Sequence, residues 1–282
     1  MTLDRIKIIG LAASVALLGP VAGVAAQSPA PAVPVAPTYA DLADLADPAV
    51  AVIHARIRKQ ATVEPERAPG LAAGHVRLYV EAQTVALLTG SAAVGQSLRY
   101  LVDLPLDEKG RAPKLKKREV LLFTRAASGR PGEIALVAPD AQLDWSPELE
   151  ARLRPILAEL ADPDAPVAVT TVREALSVPG NLVGESETQF FVGTEGAGPL
   201  SITVVHRPNM APVWGVSRSE IVDQAAEPPR ADTLGWYRLA CFLPRDLPRE
   251  ANLTADAGAR ARAMADYRFV RDQLGPCPRN RS

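Results

Sequence analysis

Apolar and polar positions alternate along much of this chain, and the alternation predicts a protein built mainly of strands. Residues 49–59 place Ala51, Ile53 and Ile57 on one side and His54, Arg56 and Arg58 on the other. That is the period of two of a half-buried strand. Further strands are predicted at 76–88, 97–104, 119–125 and 133–138. Gly90, Gly95, the Asp107-Glu108-Lys109-Gly110 turn and Gly129-Arg130-Pro131-Gly132 separate them. A second run is predicted at 167–176, 188–194, 200–207 and 213–222. Its turns fall at Gly180-Asn181, Glu195-Gly196-Ala197-Gly198 and Pro208-Asn209, before a longer loop over 224–232.

Three stretches break this rhythm. Residues 40–45 suit a short helix. Residues 147–160 align Leu149, Leu153, Ile156 (or Leu157) and Leu160, and Ser146-Pro147 is a helix start. Residues 255–274 line up Ala263, Tyr267, Val270 and Leu274 before a Gly275-Pro276 stop. Between the last strand run and that helix lies the stretch 236–243. Its odd positions Tyr237, Leu239, Cys241 and Leu243 make one apolar face, and Pro244 closes it. Period two predicts a buried strand there. The chain holds two cysteines, Cys241 and Cys277, the second just past the helix stop. A bridge between them is expected. It would close a loop of about 37 residues and stabilise by roughly 3–4 kcal/mol in the chain-entropy picture.

The N-terminus changes where this protein is expected to work. Arg5 and Lys7 precede an apolar run over 8–18, Pro20 and Gly23 break it, and Val24-Ala25-Ala26 offers small residues before Gln27. That order reads as a secretory leader over 1–26, cleaved after Ala26, and the run is short for a membrane span. No later apolar run is long enough either, so the mature chain is expected to lack a transmembrane segment and to be periplasmic. An oxidising compartment also favours the disulfide. Residues 27–39 alternate proline with small residues and suit an extended spacer. A boundary is expected at Asp162-Pro163-Asp164-Ala165-Pro166, dividing 40–161 from 166–282.

The Ala55-Arg56-Ile57, Leu87-Leu88-Thr89-Gly90 and Val120-Leu121-Leu122-Phe123 strand ends, in that order, resemble secreted OB-like barrels of the netrin/TIMP-like type over about residues 40–160. The resemblance implies an architecture and carries over no functional residue. The predicted class is therefore mainly β, of the α+β kind. A five-stranded OB-like barrel with a following helix precedes an antiparallel sheet or sandwich capped by a C-terminal helix.

Charge and chemistry narrow the function. Lys+Arg number 31 against 32 Asp+Glu, so no global field draws nucleic acid. One dense basic run stands out: Lys114, Lys116, Lys117 and Arg118. It reads either as a solvated strand entrance that blunts an edge or as an anion-binding patch. It lacks the aromatics of a single-strand binder. His54, His75 and His206 show no metal-ligand spacing, and neither a metal nor a cofactor is expected. His54 and His75 could meet across paired strands, and His206 suits a core or edge position. Gly184-Glu185-Ser186-Glu187-Thr188 lacks the second glycine of a nucleophile elbow. Glu185 and Glu187 are expected on one solvated strand face. Trp145, Trp214 and Trp236 read as core anchors, with a sugar groove as the alternative. No catalytic set emerges. The pattern points to an exported envelope binding or accessory protein whose partner is another envelope protein or an anionic envelope component. A hydrolase assembled from dispersed Asp, Glu and His residues, or a protease-inhibitor-like module, are the alternatives.

Overall fold

A computed structural model describes residues 36–90, 94–125, 132–196, 198–218, 226–254 and 256–281. The expected leader over 1–26, and the expected spacer as far as residue 35, lie outside the described residues. From Ala36 on, the chain forms one compact unit. Two antiparallel sheets and four α-helices make up a mainly β fold. Among the described residues, no helix is long and apolar enough to cross a membrane.

The first sheet is built on β1 (Ala51–Thr62), which pairs with β2 (His75–Gly90) on one side and β4 (Glu119–Arg125) on the other. β3 (Ser97–Pro105) extends it beyond β2, while the short β5 (Ala135–Leu136) and β6 (Gln142–Asp144) both pair with β4. β5 is shorter than the expected 133–138, and β6 escapes the pattern because three residues carry no period. Register shifts at three points of the β1–β2 ladder bend the sheet. The bend brings β3 against residues 132–139. Arg99 N donates to Gly132 O at 2.8 Å, Ile134 N to Arg99 O at 3.0 Å and Asp103 N to Pro139 O at 2.8 Å. Only an isolated bridge, Arg99 with Glu133, forms there, so the strand ladder does not close into a barrel. Gly132 makes the approach feasible: a Cβ would sit 2.9 Å from Ser97 O.

Two helices have capped starts. α1 (Tyr39–Ala46) carries a capping box in which Thr38 and Asp41 each serve the other's backbone. α2 (Pro147–Leu160) starts at Ser146, whose Oγ accepts from Leu149 N at 3.1 Å. It buries Leu149, Leu153, Ile156 and Leu157.

Residues 162–166 lead from α2 into the second sheet, a meander of β7 (Val169–Pro179), β8 (Ser186–Thr194), β9 (Ser201–His206) and β10 (Val213–Ser217). The expected extension of β10 to 222 runs past 218, outside the described residues. One buried cluster runs from α1 and the first sheet through this second sheet to the C-terminal helices.

The stretch 236–243 is not a strand. It begins with helix α3 (Leu234–Ala240), whose cap Thr233 accepts from Trp236 N at 3.3 Å. The reason is burial on every side: Leu234, Trp236, Tyr237, Arg238, Leu239 and Ala240 are all buried. A segment enclosed all round has no solvent face, so the alternation of its apolar residues does not mark a strand. The last helix, α4 (Ala257–Leu274), buries the expected stripe of Ala263, Tyr267, Val270 and Leu274, and adds Ala259 and Asp266. Cys241 caps α3 and is bonded to Cys277, with Cα atoms 5.2 Å apart. The disulfide therefore joins a helix, rather than a strand, to the chain beyond α4.

Candidate functional site

A cleft of about 1060 Å³ opens beside α3. The end of α2 and residues 162–167 form one wall, β10 and residues 226–230 the other, and Arg238 and Leu239 lie at its base. Three bonds hold its frame. Leu234 N donates to Glu159 Oε2 at 2.7 Å, Arg218 Nη1 to Asp164 O at 2.8 Å, and Arg238 Nε to Pro166 O at 3.0 Å. Backbone approach tightens the β10 wall: a Cβ at Gly215 would lie 2.0 Å from Ala226 O. Arg230 and Glu227 project at the rim without an ion pair among the described residues, and Pro166, Pro199, Pro228 and Pro229 face the space. Proline rings supply apolar surface and no N–H donors. The cleft thus offers both charges and apolar walls, which suits holding a ligand. Its residues come from four separate segments, so no local motif could reveal it.

The histidines lie elsewhere. His54 and His75 do not meet: in the β1–β2 register His54 faces Ala86, and His75 faces Pro105 on β3. His54 is buried under Trp145, with rings 4.4 Å apart and 10° from parallel. Its Nε2 donates to Glu119 Oε2 at 2.8 Å, and Arg56 Nε donates to Glu119 Oε1 at 3.0 Å. Hydrogen bonds from Arg56 first, then from His54, hold the Glu119 carboxyl below the usual range. The Trp145 indole N–H in turn donates to Glu150, at 2.6 Å. The His75 ring bonds the nearby Ala73 carbonyl through Nδ1, at 3.1 Å.

His206, at the end of β9, joins a chain of bonds between the second sheet and α4. Its Nε2 donates to Asp266 Oδ1 at 2.7 Å, and Thr188 Oγ1 donates to Asp266 Oδ2 at 2.5 Å. A carboxylate only accepts, so the single Thr188 proton goes to Asp266, and Ser177 must donate to Thr188 across 2.9 Å. Arg262 Nε completes the chain onto Ser177 at 3.4 Å. Asp266 is 3% exposed and satisfied from both sides. Ser186 sits opposite His206 in the β8–β9 register.

The other sequence candidates separate. Glu185 precedes β8, so it does not share a strand face with Glu187. Its Oε2 accepts from Asn181 N and Leu182 N at 3.0 and 3.2 Å, closing the hairpin loop. Glu187 takes a bond from Gln189 at 2.6 Å. Trp214 and Trp236 are buried. Lys114, Lys116, Lys117 and Arg118 are exposed, in the loop that leads directly into β4. Arg118 pairs with Asp144 at 3.3 Å. Among the described residues, no group of three or more His, Cys, Asp or Glu side chains is placed to hold a metal ion. Nothing in the local pattern marked Asp266 or the cleft arginines, because each is one polar residue within an otherwise ordinary element.

No known protein family and no curated protein matches this chain.

Proposed function

We propose that this is an exported cell-envelope binding module without catalytic activity, and that the cleft beside α3 holds a short polar segment of a partner protein. The observation that carries the reading is the composition of that cleft. Arg230 and Glu227 stand unpaired at a rim walled by prolines, while the His–carboxylate pairs belong to other parts of the fold. Opposite charges select an extended polar chain, and proline walls pack its apolar atoms. The leader-like order of residues 1–26 and the Cys241–Cys277 bond support export to the periplasm. The approach of β3 to residues 132–139 supports an OB-like curl of the first sheet, with the architecture of netrin/TIMP-like barrels. The protease-inhibitor alternative rests on that curl alone.

A photo-cross-linking residue in place of Pro229 tests the reading in the exported protein. A discrete cross-linked partner is expected, and Arg230→Glu should abolish it. Equal yield from a control probe at the fully exposed Val183, or indifference to Arg230→Glu, would overturn it.

One observation favours a second reading, the hydrolase. Asp266 orients His206, and Ser186 lies across the strand pair from it, the residue types of an acyl-transfer triad. Labelling of Ser186 by a fluorophosphonate probe, lost in His206→Ala, would establish that reading. An unlabelled chain removes it.

A further inference from the structure

Residues 113–117 cover the inside of the curled first sheet just before β4. Leu115 plugs it, 1% exposed. Gln60 of β1 clamps the loop from both directions: Leu115 N donates to its Oε1 at 2.6 Å, and its Nε2 donates to Pro113 O at 2.8 Å. Lys117 N donates to Ile57 O, and Ile57 N to Arg118 O, each at 2.9 Å. Lys117 itself takes a φ of 73°, which residues with a Cβ rarely adopt. The loop is therefore held in one shape, with Leu115 inward and Lys114, Lys116 and Lys117 outward. Arg58, next to Ile57 on β1, is exposed beside it.

None of these four cations forms an ion pair among the described residues. The nearby carboxylates are already committed: Asp144 to Arg118, Glu119 to Arg56 and His54, and Glu81 to Lys59. Protection of a β4 edge does not account for the run either. β4 pairs with β1 on one side and with β5 and β6 on the other, so it has no free edge to blunt.

We propose that Arg58, Lys114, Lys116 and Lys117 form a fixed cationic platform that docks the protein on a bilayer surface bearing anionic phosphate headgroups. Lysines are hydrated point charges without the fork that reads a single carboxylate or phosphate. Spread over an open surface, they answer to the summed potential of many headgroups. The platform shares no residue with the cleft, so it goes beyond the partner-binding reading and can fail independently of it.

The test is co-sedimentation of the full-length protein with vesicles of phosphatidylcholine alone or mixed with phosphatidylglycerol. Binding is expected only to the mixed vesicles, and should weaken as salt shortens the screening length to about 10 Å at 0.1 M. A Lys114→Gln, Lys116→Gln, Lys117→Gln variant should bind about a hundredfold more weakly, at about fivefold per lysine. An Arg118→Gln, Asp144→Asn double variant, which removes the ion pair and leaves the local net charge unchanged, should bind as the wild type does. Equal binding to neutral vesicles would place the affinity in the apolar N-terminal run and overturn the proposal. So would no binding to either vesicle, or full competition by inorganic phosphate at matched ionic strength, which would mark a free-phosphate site.

Discussion

Arg238 of α3 grips Asp47, the residue that caps α1, through two parallel bonds of 2.6 and 2.7 Å. The two residues are 191 positions apart. The guanidinium is buried and its remaining Nε–H is taken by Pro166 O, so one side chain ties three segments together.

Breaking this pair from the acidic side is expected to be costly. Asp47→Ala leaves a buried guanidinium without its anion and should lose about 3 kcal/mol, measured by urea unfolding. Arg238→Met should cost less, because Asp47 can hydrate. The double variant should be less than additive; additivity would show that the two side chains do not interact.

The disulfide is expected to matter most at the far end of the chain. Cys241 and Cys277 are 36 residues apart. Just beyond Cys277, Arg279 bonds Asp44 at 2.6 Å, Asn280 N and Arg281 N bond Asp41 at 3.0 Å each, and Arg281 bonds Asp140 at 2.8 Å. Cys277→Ser should therefore cost about 2–4 kcal/mol. Hydrogen exchange should rise first in α1, ahead of the first sheet. Unchanged protection of α1 would show that the tail holds without the bond.

Acid should loosen the same clasp. Burial acts to raise the Asp41 pKa, but the N–H groups of Thr38, Asn280 and Arg281 and the Thr38 hydroxyl together hold it below the ordinary value. A depressed carboxyl stabilises the fold above its unfolded pKa of about 4 and loses that contribution as pH falls through the folded value. Thermal melts from pH 5 downward should therefore drop more steeply in the wild type than in Asp41→Asn. Parallel curves would remove Asp41 from the acid response.

Alkali should act through tyrosines. Burial raises the pKa of Tyr100 and Tyr237 strongly, and pushes Tyr267 up to about 12. Each hydroxyl donates inward, to Gln142, Asp44 and Pro244 O respectively. Their contribution is intact below the unfolded pKa of about 10 and is lost as pH rises above it. Absorbance of these three tyrosinates should therefore appear together with unfolding above pH 10, not before it. Early titration of all five tyrosines in a folded protein would contradict these burials.

The sequence by itself determined the elements whose one face meets solvent. β1 to β4, β7 to β9, α2 and the buried stripe of α4 lie where alternation or helical spacing put them, because water on one side and core on the other writes a period into the residues. It also determined the cysteine pair, since two cysteines allow one intramolecular bond. Tertiary structure decided the rest. α3 is enclosed by α1, α4 and its own neighbours, so no exposed face marked it as a helix, and Trp236 bonds Leu274 O across 38 residues. Asp41, Asp266 and Arg238 each looked like an ordinary surface charge, and only the packed fold supplies the partner that makes its burial tolerable. The cleft belongs to the same class: it is assembled from distant segments whose proximity is a property of the completed core, and no window of the sequence contains it. The lysines of the platform stood together in one window of the sequence, and the fold added only the fixed shape of their loop and the neighbouring Arg58.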